Sequence, residues 1–178
     1  MFESLLAKHT FQNIIPTLKL NPDCLDITIY DDILVLFNEI YNESYSSNLR
    51  GAFLELLTFK FINKKFNPHQ SDLDCYVVTS GIKSERTVDV FALCDNFKGM
   101  VCECKISHNN FRDYHISNLN NIFHGSNEIL APYIVTCSSK KLITDKLIKI
   151  VREHNTNRDV YLGHVKVISN SNLSDFFK

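Results

Sequence analysis

Apolar residues recur at helical spacing through the first 46 residues: Phe2, Leu5 and Leu6, then Ile33, Leu34, Leu36, Phe37, Ile40 and Tyr41, broken at Pro16 and at Asn21-Pro22. This stretch reads as mainly helical. Ser46 or Ser47 can cap a second run that reaches Phe66, with apolar faces built from Ala52, Phe53, Leu56, Leu57, Phe59 and Ile62. It predicts a long, largely buried helix ending in the basic cluster Asn63-Lys64-Lys65. Residues 67–74 are polar and read as loop. The β-branched run 75–81, ending in Gly81, reads as a strand, as do 87–94 and 100–107, the last two joined by a turn at 95–99. Residues 110–124 predict an amphipathic helix with Phe111, Tyr114, Ile116, Leu119 and Phe123 inward and Gly125 as its stop. A strand at 132–138, an amphipathic helix at 141–154, a short strand at 164–169 and a closing helical turn at 171–178 complete the pattern.

Strands joined by a tight turn pair antiparallel, and strands separated by helices tend to run parallel. The order helix, three strands, helix, strand, helix, strand therefore gives an α/β fold: a mixed central sheet flanked by helices. Residues 47–178 form its core, and residues 1–46 a helical extension.

The hairpin VDVFALCDNFKGMVCECKIS, residues 88–107, breaks its own pattern. Asp89 interrupts the first apolar run, Glu103 and Lys105 the second, and charged side chains are rarely buried unless paired or bound to a metal. Strand side chains alternate faces, so Met100, Cys102, Cys104 and Ile106 share one face, and Val101, Glu103 and Lys105 the other. Glu103 and Lys105 are then roughly 6.5–7 Å apart along the strand. If Asp89 faces the same side, two carboxylates and one ammonium converge. Close carboxylates repel unless a cation sits between them. Mg²⁺ suits such a site, because it takes oxygen ligands and is commonly held by one or two carboxylates plus substrate phosphate. The backbone carbonyl of Cys104 offers a third oxygen. Lys105 would orient the attacking water or stabilise charge at a phosphorus centre.

Composition narrows the classes. A chain of 178 residues, 44% hydrophobic and 22% charged, suits one globular domain, and its net charge of −1 excludes a global polycation. A nucleic-acid partner must be met by a local basic patch or through metal ions. Six cysteines without a CxxC pair, most of them in apolar runs, read as reduced core residues rather than zinc ligands or a disulfide framework. The N-terminus has Glu3 and no small-residue cleavage site, and no apolar run approaches the ~20 residues of a membrane span. These features predict a cytoplasmic protein with no membrane partner. No nucleophile elbow, P-loop or dinucleotide glycine pattern occurs.

Asp89, a gap, then Glu103-Cys104-Lys105 resembles the signature of the PD-(D/E)XK nuclease superfamily, the restriction-endonuclease-like fold. Gly51-Ala52-Phe53-Leu54-Glu55 resembles the G-x-x-x-E helix of many members. The resemblance covers roughly residues 47 to 154, with Val88 where the family name has Pro. His115 and Asn118 lie in the region where some members carry a Gln. It implies a Mg²⁺- or Mn²⁺-dependent hydrolase of nucleic acid, most simply a DNA endonuclease, with RNA as the alternative substrate. Asp89 and Glu103 would bind metal, Lys105 would assist the water, and Glu55 would bind metal directly or through water. Many such enzymes are homodimers, a role the N-terminal helices could serve. Lys83, Arg86, His108, Arg112 and His115 are candidate contacts to the nucleic acid. Two other readings fit the same residues: a non-catalytic nucleic-acid-binding or assembly subunit on this fold, and a structural module whose charges only form ion pairs.

Overall fold

The structure is a computed structural model that describes residues 47–94, 98–153 and 162–173. The helices expected within residues 1–46, the centre of the turn at 95–99 and the end of the closing segment lie outside the described residues.

Helix α1 (Ser47–Phe66) buries Leu54, Thr58, Phe61 and Ile62, one stripe at helical spacing. Thr58 satisfies its buried hydroxyl by donating to the Leu54 carbonyl one turn back, at 2.8 Å. Lys64 and Lys65 occupy the last turn, where cations suit the helix dipole. Asn67, at φ 43°, then takes the left-handed conformation, and its N–H closes on the Asn63 carbonyl at 3.0 Å.

Strand β1 (Gln70–Cys75) follows where a loop was expected from the polar sequence QSDLDC. It pairs antiparallel with β4 (Val88–Leu93) at the edge of the sheet, where polar and charged residues are tolerated and guard against further pairing. The single strand expected at 75–81 is also corrected. Ser80 (φ 50°) and Gly81 (φ 78°) both take positive φ, as a two-residue hairpin turn requires, and fold the segment into a ribbon of β2 (Val78–Thr79) and β3 (Ile82–Lys83).

Strand β5 (Gly99–Lys105) returns antiparallel to β4. A 3-10 turn at His108–Asn110 and helix α2 (Asp113–Gly125) carry the chain over to β6 (Leu130–Thr136), parallel to β5. Helix α3 (Lys140–Glu153) carries it over to β7 (Lys166–Ile168), parallel to β6. The order β1-β4-β5-β6-β7 makes a five-stranded mixed sheet. One face packs Met100, Cys102, Cys104 and Val135 against Leu54, Phe61 and Ile62 of α1. The other packs Val101 and Ile134 against Ile116, Leu119 and Ile122 of α2 and Ile143, Leu147 and Ile150 of α3. Each such side chain, taken fully from water, contributes about 1.5–3 kcal/mol. The fold is therefore a mixed sheet between helical layers.

Candidate active site

The two ladders of β4 both fail at the same residue. Pairing with β1 runs from Gln70↔Leu93 to Leu73↔Val90, skips the Asp74–Asp89 step and resumes at Cys75↔Val88. Asp74 is left-handed at φ 44°. Pairing with β5 ends at Val90↔Cys102. Continued, that register would set Asp89 opposite Glu103 and Val88 opposite Cys104. Instead the Cys104 N–H donates to Asp89 Oδ2 at 2.7 Å. A side-chain carboxylate thus takes the amide, and the strands part around it.

Lys105 fills the opening. Its ammonium donates to Asp89 Oδ2 at 2.8 Å and lies 2.6 Å from Glu103 Oε1. The side chain of Glu103 is only 5% exposed, against 16% for Asp89 and 22% for Lys105. Cys104, between the two charged residues, turns its thiol into the α1 side of the core. The alternation of the strand is as its sequence predicts.

Helix α2 supplies a fourth group. His115 Nε2 lies 3.2 Å from Glu103 Oε1, while its Nδ1 accepts the Arg112 N–H at 2.9 Å. Arg112 is the N-cap of α2 and His115 the third helical residue, so the imidazole fills the place that Glu or Gln takes in a capping box. An Nδ1 that accepts an amide bears no proton, so neutral His115 carries its proton on Nε2 and donates it to Glu103. Burial, and then the nearby Lys105 charge, lower its pKa to about 4, which keeps the ring neutral near pH 7. Expected as a contact to nucleic acid, His115 is instead buried against a carboxylate.

The acids respond to one another. Burial, then the charge of Asp89, push Glu103 up to about 7, against the pull of Lys105. Burial opposes the charge of Lys105, but Glu103 and Asp89 outweigh it and hold the ammonium above its ordinary value. Glu55 on α1 is raised by burial, by Asp89 and more weakly by Asp74, so it lies within electrostatic reach of the cluster. Its carboxylate folds back along the helix toward Gly51.

The remaining candidates are spread around this centre. His108 is half-buried, with its N–H donating to Ser138 Oγ at 2.8 Å and its Nδ1 3.2 Å from the same oxygen. Arg112 is exposed and bonds the Asn109 and Phe111 carbonyls. The Lys83 ammonium sits 3.5 Å over the Tyr76 ring, and the Arg86 guanidinium 4.2 Å over the Tyr114 ring. Tyr114 was expected inward and is 44% exposed. Asp74 carries no signal in the sequence, since a short polar stretch gives no sign that it lies opposite Asp89. The inward role of His115 had a signal: it falls on the buried stripe of Phe111, Asn118, Leu119 and Ile122.

Carboxylate oxygens are the ligand type that a hard divalent cation takes. Asp89 and Glu103 engage their contacts through Oδ2 and Oε1, so Oδ1 and Oε2 take no part in them. The pKa of Glu103 is raised by burial first and then by the charge of Asp89, and a cation would relieve the second. Among the described residues no three His, Cys, Asp or Glu side chains form a metal-holding group. Further oxygens would have to come from backbone, water or substrate, as is usual for Mg²⁺.

No protein-family model matches the chain, and no curated protein sequence matches it. Among solved structures, protein VC1899 from Vibrio cholerae aligns over 98% of this chain and 52% of its own, with a TM-score of 0.49 and 15% identity. The chain thus spans about half the length of that protein. No helix among the described residues is long and apolar enough to cross a membrane.

Proposed function

We propose that this chain is a metal-dependent phosphodiesterase of the PD-(D/E)XK type, acting as a DNA endonuclease. The observation that carries the reading is the convergence of Asp89, Glu103 and Lys105 at the point where β4 and β5 part, with the Lys105 ammonium 2.8 Å from Asp89 Oδ2 and 2.6 Å from Glu103 Oε1. Asp89 and Glu103 would hold Mg²⁺ or Mn²⁺, with the Cys104 carbonyl as a third oxygen and Glu55 directly or through water. When bound, the ion would supply charge stabilisation at the phosphate and lower the pKa of the attacking water.

The chain's own residues do the rest. Lys105 is held protonated by two carboxylates, so it acts as a donor and positive charge rather than as a general base. It can orient the water and offset the charge that builds on the phosphoryl oxygens. His115 fixes Glu103 from above through its Nε2–H. Asp89 braces the parted strands by capping Cys104. In this reading residues 47–178 form the nuclease core. The free thiols Cys75, Cys102, Cys104 and Cys137 suit a reducing compartment such as the cytoplasm. A homodimer would provide one site for each DNA strand.

The test is cleavage of linear, supercoiled and branched DNA, single strands and structured RNA, with Mg²⁺, Mn²⁺ or EDTA. Wild type and Lys105→Ala are compared at equal fold content. Metal-dependent cutting of DNA that the variant lacks is expected. Cutting of RNA alone would change the substrate. No cutting by folded wild type would overturn the enzyme and favour a binding subunit.

A further inference from the structure

Arg86 is an exposed arginine held more firmly than an exposed arginine needs to be. Its backbone carbonyl accepts from Ser84 Oγ at 2.7 Å, with the Asn118 amide 3.4 Å away on α2. Its guanidinium lies 4.2 Å over the ring of Tyr114. That ring lies 4.1 Å from the ring of His115, whose Nε2 lies 3.2 Å from Glu103. Arg86 therefore stands two ring layers from the Glu103 carboxylate. Its positive charge is also one of those that lower His115. Among the described residues no carboxylate forms an ion pair with it.

A guanidinium stacked by one face on an aromatic ring keeps its N–H edge free, and that edge matches two phosphate oxygens. Stacking also removes rotamer freedom that a solvated side chain would lose on binding. Tyr114 is 44% exposed, and its ring is the seat of Arg86 rather than part of the core. We infer that Arg86, seated on Tyr114, is a preformed clamp for a backbone phosphate of the nucleic acid that runs past the Asp89–Glu103–Lys105 centre. The identity of the ligand as nucleic acid rests on the nuclease reading. The clamp itself is a binding device and needs no catalysis.

Fluorescence anisotropy in EDTA, with labelled duplex DNA and duplex RNA oligonucleotides across a salt series, tests the clamp without cleavage. Arg86→Ala should weaken binding about 5- to 30-fold and reduce the slope of log K against log salt by about one. Tyr114→Ala should weaken binding by a smaller factor. Tyr114→Phe, which keeps the ring, should restore it. Lys149→Ala, on the exposed face of α3, serves as the control. If Arg86→Ala binds with wild-type affinity and slope, the clamp is wrong even where cleavage is found. If Arg86→Ala loses affinity and slope while wild type cuts nothing, the clamp stands and the nuclease reading falls. If wild type binds neither duplex, the clamp falls, and the nuclease reading is decided by the cleavage test alone.

Discussion

Glu103 and His115 share one contact and pull the stability of the metal-free protein in opposite directions. Glu103 keeps its proton up to about pH 7 in the fold, against 4.5 for the free side chain. Between those values the folded chain binds more protons than the unfolded one, and stability falls as pH rises. His115 releases its proton near pH 4 in the fold, against 6.5 for the free side chain, so stability rises from about pH 4 to 6.5. The wild-type slopes largely offset each other. In EDTA, Glu103→Gln should leave the histidine slope: urea stability climbing by about 1–3 kcal/mol between pH 4 and 6.5. His115→Gln should leave the opposite slope, a decline from pH 4.5 to 7. A His115→Gln protein without that decline would mean that Glu103 is not strained in the fold.

At the scale of elements, two glycines contrast. Gly99 opens β5 where a Cβ would sit 2.6 Å from the Ala92 carbonyl oxygen and 2.7 Å from a Leu130 methyl. Backbone cannot yield there, so Gly99→Ala should cost about 1–3 kcal/mol in urea unfolding. Gly51 lies inside α1 with only Glu55 Oε1 at 3.8 Å, an ordinary contact. Gly51→Ala should stabilise the helix by about 0.5–1 kcal/mol. If the two substitutions shift the midpoint in the same direction, the packing of α1 and β5 differs from that described. The β4–β5 hairpin gives the site its shape: pairing continues as far as Val90 and Cys102, then yields to a side chain, so Asp89 reaches Lys105 across the gap.

The whole molecule links the site to stability. A cation bound only by the folded chain stabilises it by about 2.7 kcal/mol at a hundred times its Kd. For a domain of this size each kcal/mol raises Tm by about 2–4 °C. Titration with Mg²⁺ should therefore raise the Tm of wild type and leave Asp89→Asn unmoved. A wild-type Tm insensitive to both Mg²⁺ and Mn²⁺ would count against the metal site and favour a purely structural ion-pair cluster. The cluster draws on α1, β4, β5 and α2, so the ion would tie together both helical layers of the sheet.

The sequence by itself determined the periodic parts. The alternation along 100–106 divided Met100, Cys102, Cys104 and Ile106 from Val101, Glu103 and Lys105, because strand geometry puts neighbours on opposite faces whatever surrounds them. The amphipathic stripes of α2 and α3, and the order of helices and strands, follow from equally local rules. Only the tertiary structure decided what depends on distant partners. QSDLDC became a strand because β4 offered it an edge, and Tyr114 faced outward with Arg86 over its ring. His115 turned inward because Glu103 and the Arg112 amide satisfy its two nitrogens. Asp74 came opposite Asp89 through a pairing of strands well apart in sequence. The ammonium of Lys105 sits between two carboxylates for the same reason: its contacts are set by how the strands part, and periodicity carries no record of that.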